Sequence, residues 1–162
     1  MDAEKFTKKS LEVIESCEKL AYEYNNQELT QAHLMYALVT VEDSLIAKLL
    51  TNMGINMDAF TGECEKLVAN RPKVSGGQLF TSPEFSKALI QAEKEAKQMG
   101  DDYISVEHIF LGLLEKADKD IKRVINAYGI TRGKFLEVLA NIRGNRKVES
   151  CLLYTSPSPR DR

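Results

Sequence analysis

The chain has no tryptophan, four prolines and three cysteines among 162 residues, and each shortage narrows what it can be. Cys17, Cys64 and Cys151 are scattered and odd in number, so neither a disulfide framework nor a metal knuckle is expected. Unpaired cysteines point to the reducing cytoplasm. No G-x-x-x-x-G-K-[ST] occurs, which removes a P-loop, and no E-x-x-H occurs, which removes the usual di-iron helix signature. No apolar run approaches the roughly 20 residues of a membrane-spanning helix. The opening MDAEKFTKKS has no signal-peptide apolar core. Twenty-two basic residues against 24 acidic ones, with no basic block, make nucleic acid an unexpected partner. No cofactor is expected either.

What is present is a duplication. TQAHLMYAL, Thr30 to Leu38, returns as SVEHIFLGL, Ser105 to Leu113. Each copy opens on a hydroxyl residue able to cap a helix, carries histidine three positions later, and continues with an apolar stretch. A capping box would place Glu or Gln at that third helical position; His33 and His108 stand there instead. The two histidines are 75 positions apart, and that offset organises the chain.

Along the chain, Asp2 is expected to cap a first helix reaching about Tyr24, with Phe6, Val13, Ile14, Cys17, Leu20 and Ala21 on one stripe. A second helix follows Thr30 and ends near Val41. Asp43 is expected to cap a third, which buries Leu45, Ile46, Leu49 and Leu50, and Gly54 suits its left-handed end. Asn56 caps a fourth, with Met57, Phe60, Cys64 and Leu67 at spacings of three and four. In residues 71–81 periodicity stops at Pro72, and Gly76-Gly77 permits a free turn, so this reads as a linker. Ser82-Pro83 restarts a helix with cap and proline in the favoured order.

From there the first half repeats. Residues 10–71 lie on 85–146 at the constant offset with no insertion and twelve identities, against roughly four expected from ordinary composition. Asp43 lies over Asp118, Ile46 over Ile121, Gly54-Ile55 over Gly129-Ile130, and Phe60 over Phe135. The expected fold is therefore all-α: two pseudo-symmetric four-helix repeats, 2–70 and 82–143, packed into one compact domain. Residues 144–150 are polar with no apolar stripe and read as a second linker, toward a further part of a longer chain. The last twelve residues, CLLYTSPSPRDR, break the pattern and read as a non-native, disordered tail.

No nucleophile–base pair is visible in this pattern. His33, His108 and Glu107 could be combined into a metal site, but each histidine sits in the first turn of its own repeat and was duplicated with its cap. Packing back on the helix entrance is the simpler role. Cys17 and Cys64 lie on apolar stripes and read as buried small hydrophobes.

The opening EKFTKKSLEVI, the paired [TS]-x-x-H-[LI] helices, RPKVSGG between repeats and the closing GITRGKFLEVLANIRGNRKV resemble the N-terminal domain of the Clp unfoldase family, in its disaggregase branch. The resemblance covers about residues 1–149. It implies a mobile, non-catalytic module above a hexameric ATPase ring, monomeric when isolated. Such a module captures unfolded or aggregated polypeptide and passes it to the ring. The alternative it implies is a receptor for adaptor proteins or phosphoarginine in a protease-associated member, whose G-T-E-H motif falls on Thr30-Gln31-Ala32-His33 and Ser105-Val106-Glu107-His108. Polar positions tied to substrate handling fall on Thr7, Asp101 and Glu107. An accessible apolar groove at the seam between repeats would be lined by Leu89, Ile90 and Ile109.

Overall fold

A computed structural model describes residues 3–144; Met1, Asp2, most of the 144–150 segment and the 151–162 tail lie outside the described residues. A 3-10 turn (Ala3–Lys5) leads into α1 (Lys8–Glu23), then β1 (Glu28–Leu29), α2 (Gln31–Thr40), α3 (Leu45–Asn52) and α4 (Met57–Ala69). After the connection come β2 (Phe80–Thr81), α5 (Pro83–Gln98), α6 (Val106–Glu115), α7 (Lys119–Ala127) and α8 (Arg132–Arg143). The chain is thus mostly helical, and helices α5–α8 follow α1–α4 at the offset read in the sequence.

Side-chain caps set most helix starts by accepting bonds from the first orphan amides. Asn56, Ser82, Asp118 and Thr131 all do so. Two starts differ from expectation. Thr7, not Asp2, caps α1, with its Oγ1 accepting from Ser10 N at 3.2 Å. Ser44, not Asp43, caps α3, because Asp43 is turned into the left-handed region at φ 55° and Ser44 supplies the extended cap conformation. Asp118 keeps the role that Asp43 loses, so the cap shifts by one residue between repeats. Gly54 and Gly129 take the positive φ that follows α3 and α7, as expected.

α2 and α6 are the central helices. Nearly every residue from Gln31 to Val39 and from Val106 to Leu113 is buried, which is why neither carries a one-sided apolar stripe in the sequence. α6 lies so close to α5 that a Cβ at Gly112 would stand 2.3 Å from the Ala88 carbonyl oxygen. Phe110 stacks obliquely on Phe135, ring centroids 4.6 Å apart, and Phe60 of α4 meets Tyr128 edge-on at 5.2 Å across the two repeats.

The repeats are joined reciprocally. Thr7 N donates to Ile104 O at 3.0 Å, and Ser82 N donates to Leu29 O at 2.9 Å; the two bonds are related by the 75-residue offset. Each repeat's lead-in strand thereby pairs, in parallel, with the segment before the other repeat's second helix, as the β1–β2 ladder and the Phe6–Ile104 bridge. These short ladders are an addition to the expected all-helical pattern. They arise because residues entering a helix cap are already extended. A buried glutamine completes the joint. Gln31 Nε2 donates to Glu84 O at 2.9 Å and Lys116 O at 2.8 Å, while its Oε1 accepts from Asp118 N at 2.8 Å. The connection 71–81 is not slack: Val74 N donates to Asn25 O at 2.8 Å, and Arg71 pairs with Asp120 of α7.

Candidate functional site

The duplicated histidines are the most ordered polar feature. His33 Nδ1 accepts from Thr30 N at 3.0 Å, the reverse half of a capping box, and His108 Nδ1 accepts from Ser105 N at 2.9 Å. That places the ring proton on Nε2, which donates to Asn26 Oδ1 at 2.8 Å in one repeat and to Asp101 Oδ2 at 2.7 Å in the other. Asn26 passes the chain on to Pro72 O, whereas Asp101 binds the Arg143 guanidinium through its other oxygen. Burial, with a smaller contribution from Arg71, pushes the His33 imidazole down to about 4, so it stays neutral at physiological pH.

Ser105, His108 and Asp101 stand in the order of a nucleophile, a base and an orienting acid. The arrangement cannot act as one. All three are buried, and the nitrogen facing the Ser105 hydroxyl already holds a backbone N–H. Nor is either histidine open to a metal, since both nitrogens of each ring are engaged. The thiols of Cys17 and Cys64 are pushed up by burial, Cys64 to about 12, which keeps them protonated and unreactive.

The residues expected at an open seam are mostly interior. Thr7 is buried and spends its hydroxyl on the α1 cap and on Ser10, whose own hydroxyl donates to Ile104 O. Asp101 is enclosed between His108 and Arg143. Leu89 and Ile109 are part of the core, so the expected groove between repeats is filled there. The physical reason is that helical spacing identifies the side that packs but cannot tell packing on a neighbour from lining a cleft. Ile90 alone of the apolar three faces solvent, at 49% exposure. Glu107 is fully buried, and neither carboxylate oxygen has a hydrogen-bond partner among the described residues. The structure does bring Thr7 together with the Asp101–Ser105 segment that leads into α6 and Glu107, through the Thr7–Ile104 pairing.

Exposed apolar surface lies elsewhere. Tyr22, Val74 and Phe80 are among the large exposed side chains. Phe80 borders two depressions. One, of about 350 Å³, is lined by Glu18, Tyr22, Leu29, Leu79 and Phe80; the other, of about 190 Å³, by Asn26, Arg71, Pro72, Val74 and Phe80. Reading 71–81 as a featureless linker passed over Val74 and Phe80. The signal that could have found Phe80 was an aromatic residue at a place where the first copy has Lys5.

Residues 5–128 match the Clp repeat (R) N-terminal domain family. Over 93% of its length the chain is 38% identical to the chaperone protein ClpB of Clostridium tetani, of which it spans 18%. It is 37% identical over 99% of its length to the ClpB of Nitratidesulfovibrio vulgaris, of which it spans 19%. The fold superposes on the Hsp104 N-terminal domain of Candida albicans with a TM-score of 0.81 and 21% identity, covering 94% of this chain and 99% of that one.

Proposed function

The chain belongs to the Clp repeat N-terminal domain family, and from that premise we propose that it is the substrate-capture module of a ClpB-type disaggregase, binding unfolded or aggregated polypeptide and passing it to an ATPase ring. The observation that carries this reading is a fully occupied interior, with every buried histidine and both described thiols committed to structure, beneath a surface that still exposes Tyr22, Val74, Phe80 and Ile90. A domain that exposes aromatic and aliphatic side chains without a reactive centre is suited to binding apolar segments.

In this proposal the two repeats act as one unit, catalysis belongs to the remainder of a hexameric cytoplasmic protein, and the isolated chain is monomeric. Of the residues expected to touch substrate, Ile90 is exposed, which supports a direct contact in this proposal. Thr7, Asp101 and Glu107, with Leu89 and Ile109, support the loop and helix on which such a surface rests. The receptor alternative, for adaptors or phosphoarginine, has less behind it: Ala32 offers no acid, and Glu107 is enclosed.

Capture of chains in no fixed order forgoes dense complementarity, so affinity is expected in the range of tens of micromolar or weaker, on the order set by sparse hot spots. Tethering above a ring would offset this by raising the local concentration of captured chain. Titration of the labelled chain with a permanently unfolded protein, read by NMR, should shift residues around the exposed apolar side chains. Shifts confined to polar surface, or none at all, would reject the reading.

A further inference from the structure

The internal duplication offers a comparison within one molecule. On α5, Glu93 is held by two lysines, Lys5 Nζ at 2.7 Å and Lys97 Nζ at 3.9 Å. The 75-residue offset carries Glu93 onto Glu18, Lys97 onto Tyr22 and Lys5 onto Phe80. The reciprocal pairing of Thr7 with Ile104 and Ser82 with Leu29 shows that the offset holds in space for the lead-in segments as well. The second arrangement therefore keeps the acid and replaces both ammonium groups with aromatic rings.

Those rings are on the surface, Tyr22 at 66% exposure and Phe80 at 51%. With Glu18 they line the 350 Å³ groove. Glu18 has no hydrogen-bond or ion-pair partner among the described residues. Glu28, the register partner of Phe80, stands where the other copy has Tyr103 and lines the neighbouring 190 Å³ depression rather than this groove. An unneutralised carboxylate flanked by two exposed aromatic faces complements a cation, since the ring faces attract positive charge and the acid anchors it.

We infer that this groove receives a lysine or arginine side chain of a bound polypeptide, with its charge on Glu18 and its stem and head between Tyr22 and Phe80. The occupant supplies what Lys5 and Lys97 supply at the equivalent place in the other half. A purely apolar ligand would gain nothing from Glu18, and a free inorganic cation has no hydrocarbon stem to cover the aromatic walls. The inference rests on the capture reading only in taking the cation from a polypeptide, and it gives that otherwise tolerant surface a preference for basic segments.

The test titrates the full 162-residue chain with two extended, otherwise neutral peptides that differ in one residue, lysine or norleucine. The lysine peptide should shift the NMR signals of Glu18, Tyr22 and Phe80. It should bind about five-fold more tightly than its norleucine counterpart, the difference expected for one exposed charge contact. Glu18→Gln and Phe80→Lys, both at exposed positions, should each remove most of that preference, the second by installing the ammonium of the other half. Equal binding of the two peptides, shifts on another face, or no shift at these residues would overturn the site. Permanently unfolded protein that still binds Glu18→Gln on another face leaves capture standing. Its failure to bind the wild-type chain removes capture, while the lysine-against-norleucine comparison still decides the groove.

Discussion

His33 and Asn26 form a closed pair: the ring donates from Nε2 to Asn26 Oδ1 at 2.8 Å while its other nitrogen holds the Thr30 amide. The ring has no room for a second proton without breaking the helix entrance. Its imidazole is lowered from 6.5 to about 4 by burial and then by Arg71. The unfolded chain takes up a proton below 6.5 and the folded one does not, so stability is lost as pH falls from 6.5 toward 4. The full cost is about 3 kcal/mol. His33→Gln keeps a capping-box residue at that position and removes the titration. Urea denaturation at pH 7 and pH 5 should show the wild type losing about 2 kcal/mol more than the variant; an equal loss would refute the assignment. The carboxylates Glu95 and Asp120 are held below their ordinary values of 4.5 and 3.8, because their arginine partners outweigh the opposing effect of burial. Their contribution is lost only at lower pH and leaves this window clear.

Asp101 takes the place of Asn26 in the second repeat and binds Arg143 as well as His108. Asp101→Ala should destabilise the fold by about 3 kcal/mol, the usual cost of removing one member of a buried ion pair. A reduced denaturation midpoint is the measurement. Any loss of polypeptide binding in this variant should disappear when binding is compared at equal folded fraction.

Glu107 lies at the place where the first repeat has Ala32, fully buried with both oxygens unpaired among the described residues. Burial of a polar group without a partner costs about 1–3 kcal/mol. Glu107→Met, close in volume, should therefore raise the melting temperature. Unchanged or lower stability would mean that the carboxylate is satisfied in solution.

Gly112 faces the Ala88 carbonyl at a distance that excludes a methyl group. Gly112→Ala should still be destabilising, because forcing α6 away from α5 costs about 1–3 kcal/mol, and more where backbone must move, against the roughly 1 kcal/mol that helix propensity returns in favour of alanine. The equivalent residue of the first repeat is Ala37, and Ala37→Gly should be destabilising there too, through propensity and a lost contact. A calorimetric scan of both variants separates these effects.

The duplication, the four-helix periodicity and most caps were legible in the residues, because spacing of apolar side chains and hydroxyl or amide residues at helix starts act within a few positions of each other. Family resemblance was legible in the same residues. Histidine as a capping element could be read from its position three residues after Thr30 and Ser105, and the structure places its ring there. Burial of the expected site was not legible. Leu89 and Ile109 have the same local spacing whether they line a cleft or fill a core, and Thr7, Asp101 and Glu107 look like solvated polar residues until the lead-in segments cross. That crossing pairs residues 52 and 98 positions apart, Leu29 with Thr81 and Phe6 with Ile104, and no local signal encodes it. The same long-range pairing turns Phe80 from part of a glycine-containing connection into one wall of a groove beside Glu18 and Tyr22. Local chemistry thus determined which helices form and where they start. Only the packing of one repeat against the other decided which of their polar and apolar side chains remain available to a ligand, because exposure is a property of what lies across from a residue and not of its neighbours in the chain.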